Sequence, residues 1–188
     1  MAQTDWNFIG TGSWAIIEAS PSGAGNYAMR LIANMHMLWN GNSNIGNTEI
    51  VAWARANYVD SSRRGYICFI LRSQSLTDLD NAYLVQIVPL SADVVRVQAG
   101  YWVNGEWTLL AYEDISLTIK DWRQYRVRIK DYTIQIEYYD GANWVLLFMV
   151  NDPDGNFASG AAGIACRGPE SNYSWADFDE VQIGEETA

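Results

Sequence analysis

The 188 residues carry 22 acidic and 12 basic side chains, for a net charge of −10, and 49% of them are hydrophobic. That length suits one domain spanning residues 1–188, large enough to bury a core without staples. The acidic balance disfavours phosphate backbones, no run approaches the roughly 18 apolar residues of a membrane span, and a single histidine excludes a three-histidine zinc site.

In chain order, residues 5–9 and 14–18 read as short strands broken by Gly10-Thr11-Gly12, with a loop over 21–25. Residues 27–32 and 35–39 read as a strand pair with a tight turn at Ala33-Asn34. Residues 40–47, rich in Asn and Gly, are all turn formers around one Ile. Strong strands are expected over 49–58 and 65–72, then a polar loop over 73–81 carrying Asp78 and Asp80. Further strands follow over 82–90, 94–99, 107–112, 143–150, 160–167 and 175–183, at the short spacing of an all-β sandwich or barrel. Asn104-Gly105 is the dipeptide of a two-residue hairpin turn between Tyr101-Trp102 and Trp107, and Asp140-Gly141 repeats the arrangement before Trp144. No window carries a 3.6-residue apolar period of useful length, so helix beyond a turn or two is not expected.

The clearest element is Trp122–Gly141. Tyr125, Val127 and Ile129 alternate with Arg126, Arg128 and Lys130, and after Lys130-Asp131 the alternation resumes with Ile134, Ile136 and Tyr138 against Gln135 and Glu137. A period of two puts one face in the core and one in water, where Glu137 faces the cations across the strand pair.

Trp122-x-x-Tyr-Arg-Val-Arg-Ile129, Ile134-Gln-Ile-Glu-Tyr-Tyr-Asp-Gly141, Gly160-Ala-Ala-Gly-Ile164 and Ala176-Asp-Phe-Asp-Glu-Val181 occur in an order that resembles the concanavalin A-like jelly-roll superfamily, in its laminin-G-like and lectin-like members without catalytic apparatus. The resemblance covers residues 120–184 and implies a two-sheet antiparallel β-sandwich. It also implies that residues 5–18 pair near 175–183. Where that family often has Gly or Asn-Gly between the first two of these strands, this chain has Lys130-Asp131-Tyr132, which leaves two alternatives: a looser turn, or one that holds Asp131 in the left-handed region.

Asp177 and Asp179, two apart on a strand, suggest paired carboxylates. The Glu-x-Asp-x-x-Glu pattern of the superfamily's hydrolases is absent, so no catalytic residue is assigned. No cofactor is required. The sharper expectation, from the resemblance, is a structural Ca2+ held by Asp5 or Glu18 with Asp177 or Asp179, against the ordinary reading of solvated carboxylates. Asp152-Pro153-Asp154-Gly155 reads as a turn, and His36, between Met35 and Met37, as a packed histidine. Cys68 and Cys166 lie in apolar runs and read as buried thiols, with a disulfide as the alternative. Nine Trp and eleven Tyr exceed what one core needs. Trp102, Trp107 and Trp144 flank hairpin tips, and with Asn42 and Asn44 they form the candidate ligand set, core edge or subunit contact being the alternative.

Three functions remain. The first expectation is a non-enzymatic structural or adhesion component of an assembly: a homo-oligomeric virion surface protein (decoration, fibre or tail) built in the cytoplasm without a secretion signal. The alternative is a carbohydrate-binding, lectin-like module; the second alternative is a glycoside hydrolase.

Overall fold

The computed structural model describes residues 5–17, 27–169 and 174–185. Fourteen strands and no α-helix occur among them. They are β1 (Trp6–Gly10), β2 (Ser13–Ile17), β3 (Ala28–Ile32), β4 (Met35–Trp39), β5 (Thr48–Ala56), β6 (Tyr66–Ser73) and β7 (Ala82–Pro89). The chain continues through β8 (Val94–Val103), β9 (Glu106–Ser116), β10 (Arg123–Lys130), β11 (Thr133–Tyr139), β12 (Trp144–Asn151), β13 (Ala161–Arg167) and β14 (Trp175–Glu185). One antiparallel sheet has the order β1-β4-β13-β6-β7-β8-β9, the other β12-β11-β10-β5-β14-β3-β2.

The two sheets close on one core. Alternate residues of each strand face inward, so β5 buries Ile50, Ala52, Ala54 and Ala56, and β10 buries Tyr125, Val127 and Ile129. Phe69 from the first sheet meets Phe178 and Tyr125 from the second, at centroid distances of 6.4 and 6.3 Å. Those edge-on and tilted geometries add to the area that each ring buries.

The β10–β11 pair has the expected register, Val127 opposite Ile136 and Arg126 opposite Glu137, and Asp131 turns between them at φ 53°. Asn104 and Gly105 turn β8 into β9 at φ 51° and 79°, the left-handed pair that a two-residue hairpin requires.

Two pairings differ from expectation. β3 and β4 do not form a hairpin, because Ala33 and Asn34, both left-handed, carry the chain from one sheet to the other. The Ala33 N–H is satisfied by the Ser174 carbonyl at 2.8 Å. Gly10 and Gly12 make the same crossing between β1 and β2, and the two crossings nest. A Cβ on Gly12 would lie 1.8 Å from the Ala33 carbonyl oxygen, so only glycine fits. As a result β1 pairs with β4, and β2 pairs with β3. β14 takes β3 and β5 as neighbours, so the N-terminal strands do not pair with it directly.

Cys68 lies opposite Ala165 while Cys166 lies opposite Ile67. Pairing out of step puts the two thiols on opposite faces of the first sheet, where both are buried and free. Burial pushes the Cys68 thiol up to about 12, so neither is a ready nucleophile.

Candidate functional site: a groove on the outer face of the first sheet

Side chains pointing away from the core on β4, β6, β7, β8 and β13 form a second, smaller cluster. Leu38, Cys68, Ile70, Leu84 and Ala165 make its buried floor, with Trp102, Trp107 and Tyr66 packed against it. The loop over 73–81 contributes Leu76 and Leu79 to the same cluster. An apolar floor on the outside of a sandwich is unusual for an antiparallel sheet, which normally shows its outer face to water. Here it floors a groove.

The groove has two halves that share Trp102 and Arg167. In one, of about 270 Å3, His36 faces Thr77, Asp78, Leu79 and Asp80. In the other, of about 310 Å3, Asn34, Tyr66, Gln86 and Trp107 line the wall with Gly168 and Pro169. Trp102 and Trp107 are directly opposed across the Asn104-Gly105 turn, their ring centroids 5.7 Å apart at 49°. The Arg167 guanidinium lies 5.1 Å from the Trp102 ring.

Polar groups of this face are sparse. Gln86, on central strand β7, accepts a hydrogen bond from Gln98 at 2.7 Å. Both positions carry amides, not carboxylates. His36 is mostly buried, and neither ring nitrogen has a hydrogen-bond partner. Desolvation, and secondarily the Arg167 charge, lower its pKa to about 4, so the imidazole is neutral near pH 7. Both nitrogens are enclosed beneath the groove surface, so the neutral ring acts there as part of the wall.

The structure brings Trp102 and Trp107 together as a pair and separates them from the rest of the expected ligand set. Trp144 belongs to the outer face of the other sheet, where Arg126 covers its ring at 4.4 Å. Asn42 accepts the Asn44 N–H at 2.9 Å, and Asn44 accepts the Ser159 hydroxyl, so these two amides shape their own loop. The sequence marks His36 only as a packed histidine and does not mark Arg167, because each ends up in the groove through the pairing of β4 with β13, which places His36 opposite Ala165. Their outward parity between inward apolar neighbours is the signal that marks them.

The expected cation ligands are likewise dispersed. Asp177 is fully buried and holds two guanidinia: Arg30 in a bidentate pair at 2.7 and 2.9 Å, and Arg55 at 2.9 Å. These cations satisfy the charge that a Ca2+ would otherwise meet. Asp179 caps the Glu180 N–H at 2.8 Å on a β-bulge, and the Asp5 carbonyl accepts from Asn40. Glu18 lies outside the described residues. No group of three or more His, Cys, Asp or Glu converges among the described residues. Asp152 is a turn residue, accepting from Asp154, Asn156 and the Tyr83 hydroxyl.

A larger cleft of about 770 Å3 opens where β1 and β2 splay apart, lined chiefly by Trp6, Phe8, Trp14, Ile16 and Phe178. Asp179, Glu180 and Gln182 also line that cleft. The groove on β4–β9 differs in setting a pair of tryptophans beside an amide and a guanidinium, the pattern of an orienting ligand site.

No family model and no curated sequence matches the chain. Solved structures do. A carbohydrate-binding module, CBM66 from Bacillus subtilis, superposes with a TM-score of 0.69 at 16% identity over 96% of both chains. The VIP36 exoplasmic/lumenal domain in its Ca2+/Man3GlcNAc-bound form gives 0.66 at 11% over 98% of this chain and 86% of that one. A GH16 protein of a Bacteroides ovatus mixed-linkage glucan PUL, in complex with a product, gives 0.67 at 8% over 98% and 96%. At these identities the likeness is one of fold: the chain is an antiparallel two-sheet sandwich similar to carbohydrate-binding modules and lectin-like domains.

Proposed function

We propose that the protein is a carbohydrate-binding, lectin-like module that holds a saccharide in the groove over β4, β6, β7, β8 and β13. The observation that carries this reading is the Trp102–Trp107 pair, set beside Gln86 and Arg167. Sugar rings present apolar C–H faces to aromatic rings and hydroxyls to amides. This groove supplies both, and the likeness to a carbohydrate-binding module and to a glycan-bound lectin domain supports it.

Binding is favoured over hydrolysis. Glycoside cleavage works with two carboxylates flanking the scissile bond. Here the central strands carry Gln86 and Gln98, and the groove's carboxylates, Asp78 and Asp80, sit on its covering loop, where the Asp78 side chain accepts the Asp80 N–H at 3.2 Å. The GH16 likeness keeps hydrolysis a question for assay.

The particle-surface reading has no support comparable to this. It rests on composition and on the surplus of aromatic residues.

The experiment is a glycan array followed by calorimetry on the ligands found, with Trp102→Ala as the control. Saccharide binding that falls roughly tenfold or more in the variant supports the reading, in line with the loss expected for a stacked aromatic. A protein that binds no glycan and assembles as a trimer or larger in light scattering returns it to an assembly component. Release of reducing sugar that survives purification would make it an enzyme.

A further inference from the structure

The two halves of the groove share Arg167 but differ in their acids, and this deepens the glycan reading on which the inference rests. Asp78 and Asp80 line only the half that holds His36. Among the described residues the other half is lined by no carboxylate: its polar side chains are Asn34, Tyr66, Gln86 and the Arg167 guanidinium.

Arg167 is unusual among the arginines of an acidic chain. Arg30, Arg55, Arg63, Arg96, Arg126 and Arg128 all pair with Asp or Glu at 2.9 Å or less. Arg72 is spent on the backbone carbonyls of Gly46, Asp131 and Phe157. No carboxylate of the described residues lies within ion-pair distance of Arg167, whose guanidinium lies against the Trp102 ring. Arg123 also lacks a carboxylate but lines none of the cavities described above, lying instead over Tyr138. A second cation stands beside Tyr66, a residue of the same half. Arg64 lies 5.6 Å from the Tyr66 ring and is anchored by the Pro89 carbonyl at 2.6 Å.

We propose that the Trp107 half of the groove takes an acidic sugar, a uronate residue of a glycan, its carboxylate paired with the Arg167 guanidinium and its ring against Trp102 and Trp107. A guanidinium is a planar fork that matches a carboxylate with two parallel hydrogen bonds, and it loses less hydration than an ammonium on doing so. Trp102 already holds one side of the guanidinium, which lowers the cost of ordering it. The Asp78/Asp80 half repels a second carboxylate and suits hydroxyl donors. The groove therefore prefers a uronate at one end and a neutral sugar at the other, and reads the glycan in one direction.

Calorimetry with the unaltered protein tests this on the ligand side. The probes are an oligogalacturonate, its methyl ester, and a neutral xylo-oligosaccharide. The acid should bind about 10- to 100-fold more tightly than its ester at low salt, as for a charged hydrogen bond, and lose that margin as salt rises. Arg167→Gln should abolish the margin while keeping the weaker affinity for the ester, and Trp102→Ala should weaken binding to both. Equal affinities for acid and ester overturn the proposal; if Trp102→Ala still weakens both, the glycan reading stands without it. Binding of the acid that is indifferent to Trp102→Ala places the site elsewhere and also overturns it. If none of the three saccharides, nor any glycan on the array, binds, both readings fall.

Discussion

Acidification between pH 6.5 and 4.5 should destabilise this protein through one side chain. His36 is the only histidine, and burial lowers its pKa from 6.5 to about 4. The folded state therefore resists the proton that the unfolded state accepts. Stability is full above pH 6.5, falls as the pH drops toward the folded value, and levels off below about 4. At 1.36 kcal/mol per unit, the loss reaches about 2.5 kcal/mol at pH 4.5. Carboxylates do not confuse this window. Asp152 is held below the usual range, because the Tyr83 and Asn156 hydrogen bonds outweigh the upward push of burial. Asp140, bonded by the Asn143 and Ala142 N–H groups, is also low. Their stabilisation is present above their unfolded pKa near 3.8 and is lost only below it. Urea unfolding of the wild type and His36→Gln at pH 7.0, 5.5 and 4.5 is the assay. The wild type should lose about 2.5 kcal/mol more than the variant across that range. Parallel losses would refute the reasoning, as would a histidine ring proton that titrates near 6.5 by NMR.

Further outcomes follow from other residues. Asp177→Asn should lower stability by about 2–3 kcal/mol in urea, since it strands Arg30 and Arg55 around a neutral amide; their quarter exposure keeps the cost below that of a wholly buried pair. Arg72→Met should cost about 3 kcal/mol or more, because three carbonyls lose their donor together. Gly105→Val should cost about 1–2 kcal/mol at φ 79° and, by disturbing the turn between Trp102 and Trp107, weaken glycan binding as well, which calorimetry on the same sample reads out. Chelator should leave the melting temperature unchanged, as both Asp177 oxygens are held by arginine; a drop of several degrees would place a structural cation among the other carboxylates.

The strands were legible because their signals are local. Tyr125-Val127-Ile129 alternates within one strand, and Asn104-Gly105 carries its own turn geometry, so neither depends on distant partners. Sheet membership is a different kind of information. Ala33-Asn34 reads as a hairpin turn from its neighbours, yet the same two left-handed residues can close a hairpin or lift the chain to the opposite sheet. What decides is Gly10 and Gly12 giving room for the second crossing, and that is visible only once residues far apart in the chain lie against each other.

The candidate site follows the same division. Trp102 and Trp107 were recoverable because the turn that pairs them lies between them. Arg167 gave no local sign: in Gly-Ile-Ala-Cys-Arg-Gly it closes an apolar strand, and its meaning comes from the β8 ring beside it and from having no carboxylate of the described residues within ion-pair distance. His36 carries its unsatisfied nitrogens because β4 packs under the 73–81 loop, a long-range consequence of the N-terminal crossings. The turn glycines and the groove are thus one problem. Gly12→Ala would push a methyl into the Ala33 carbonyl, and any shift that relieved it would displace β4 and His36 with it. That substitution should therefore cost stability and glycan affinity together, whereas Phe69→Leu in the inner core, which leaves the crossings alone, should lower stability and leave affinity intact. If Gly12→Ala folds with reduced stability and unchanged affinity, the groove does not depend on the crossing.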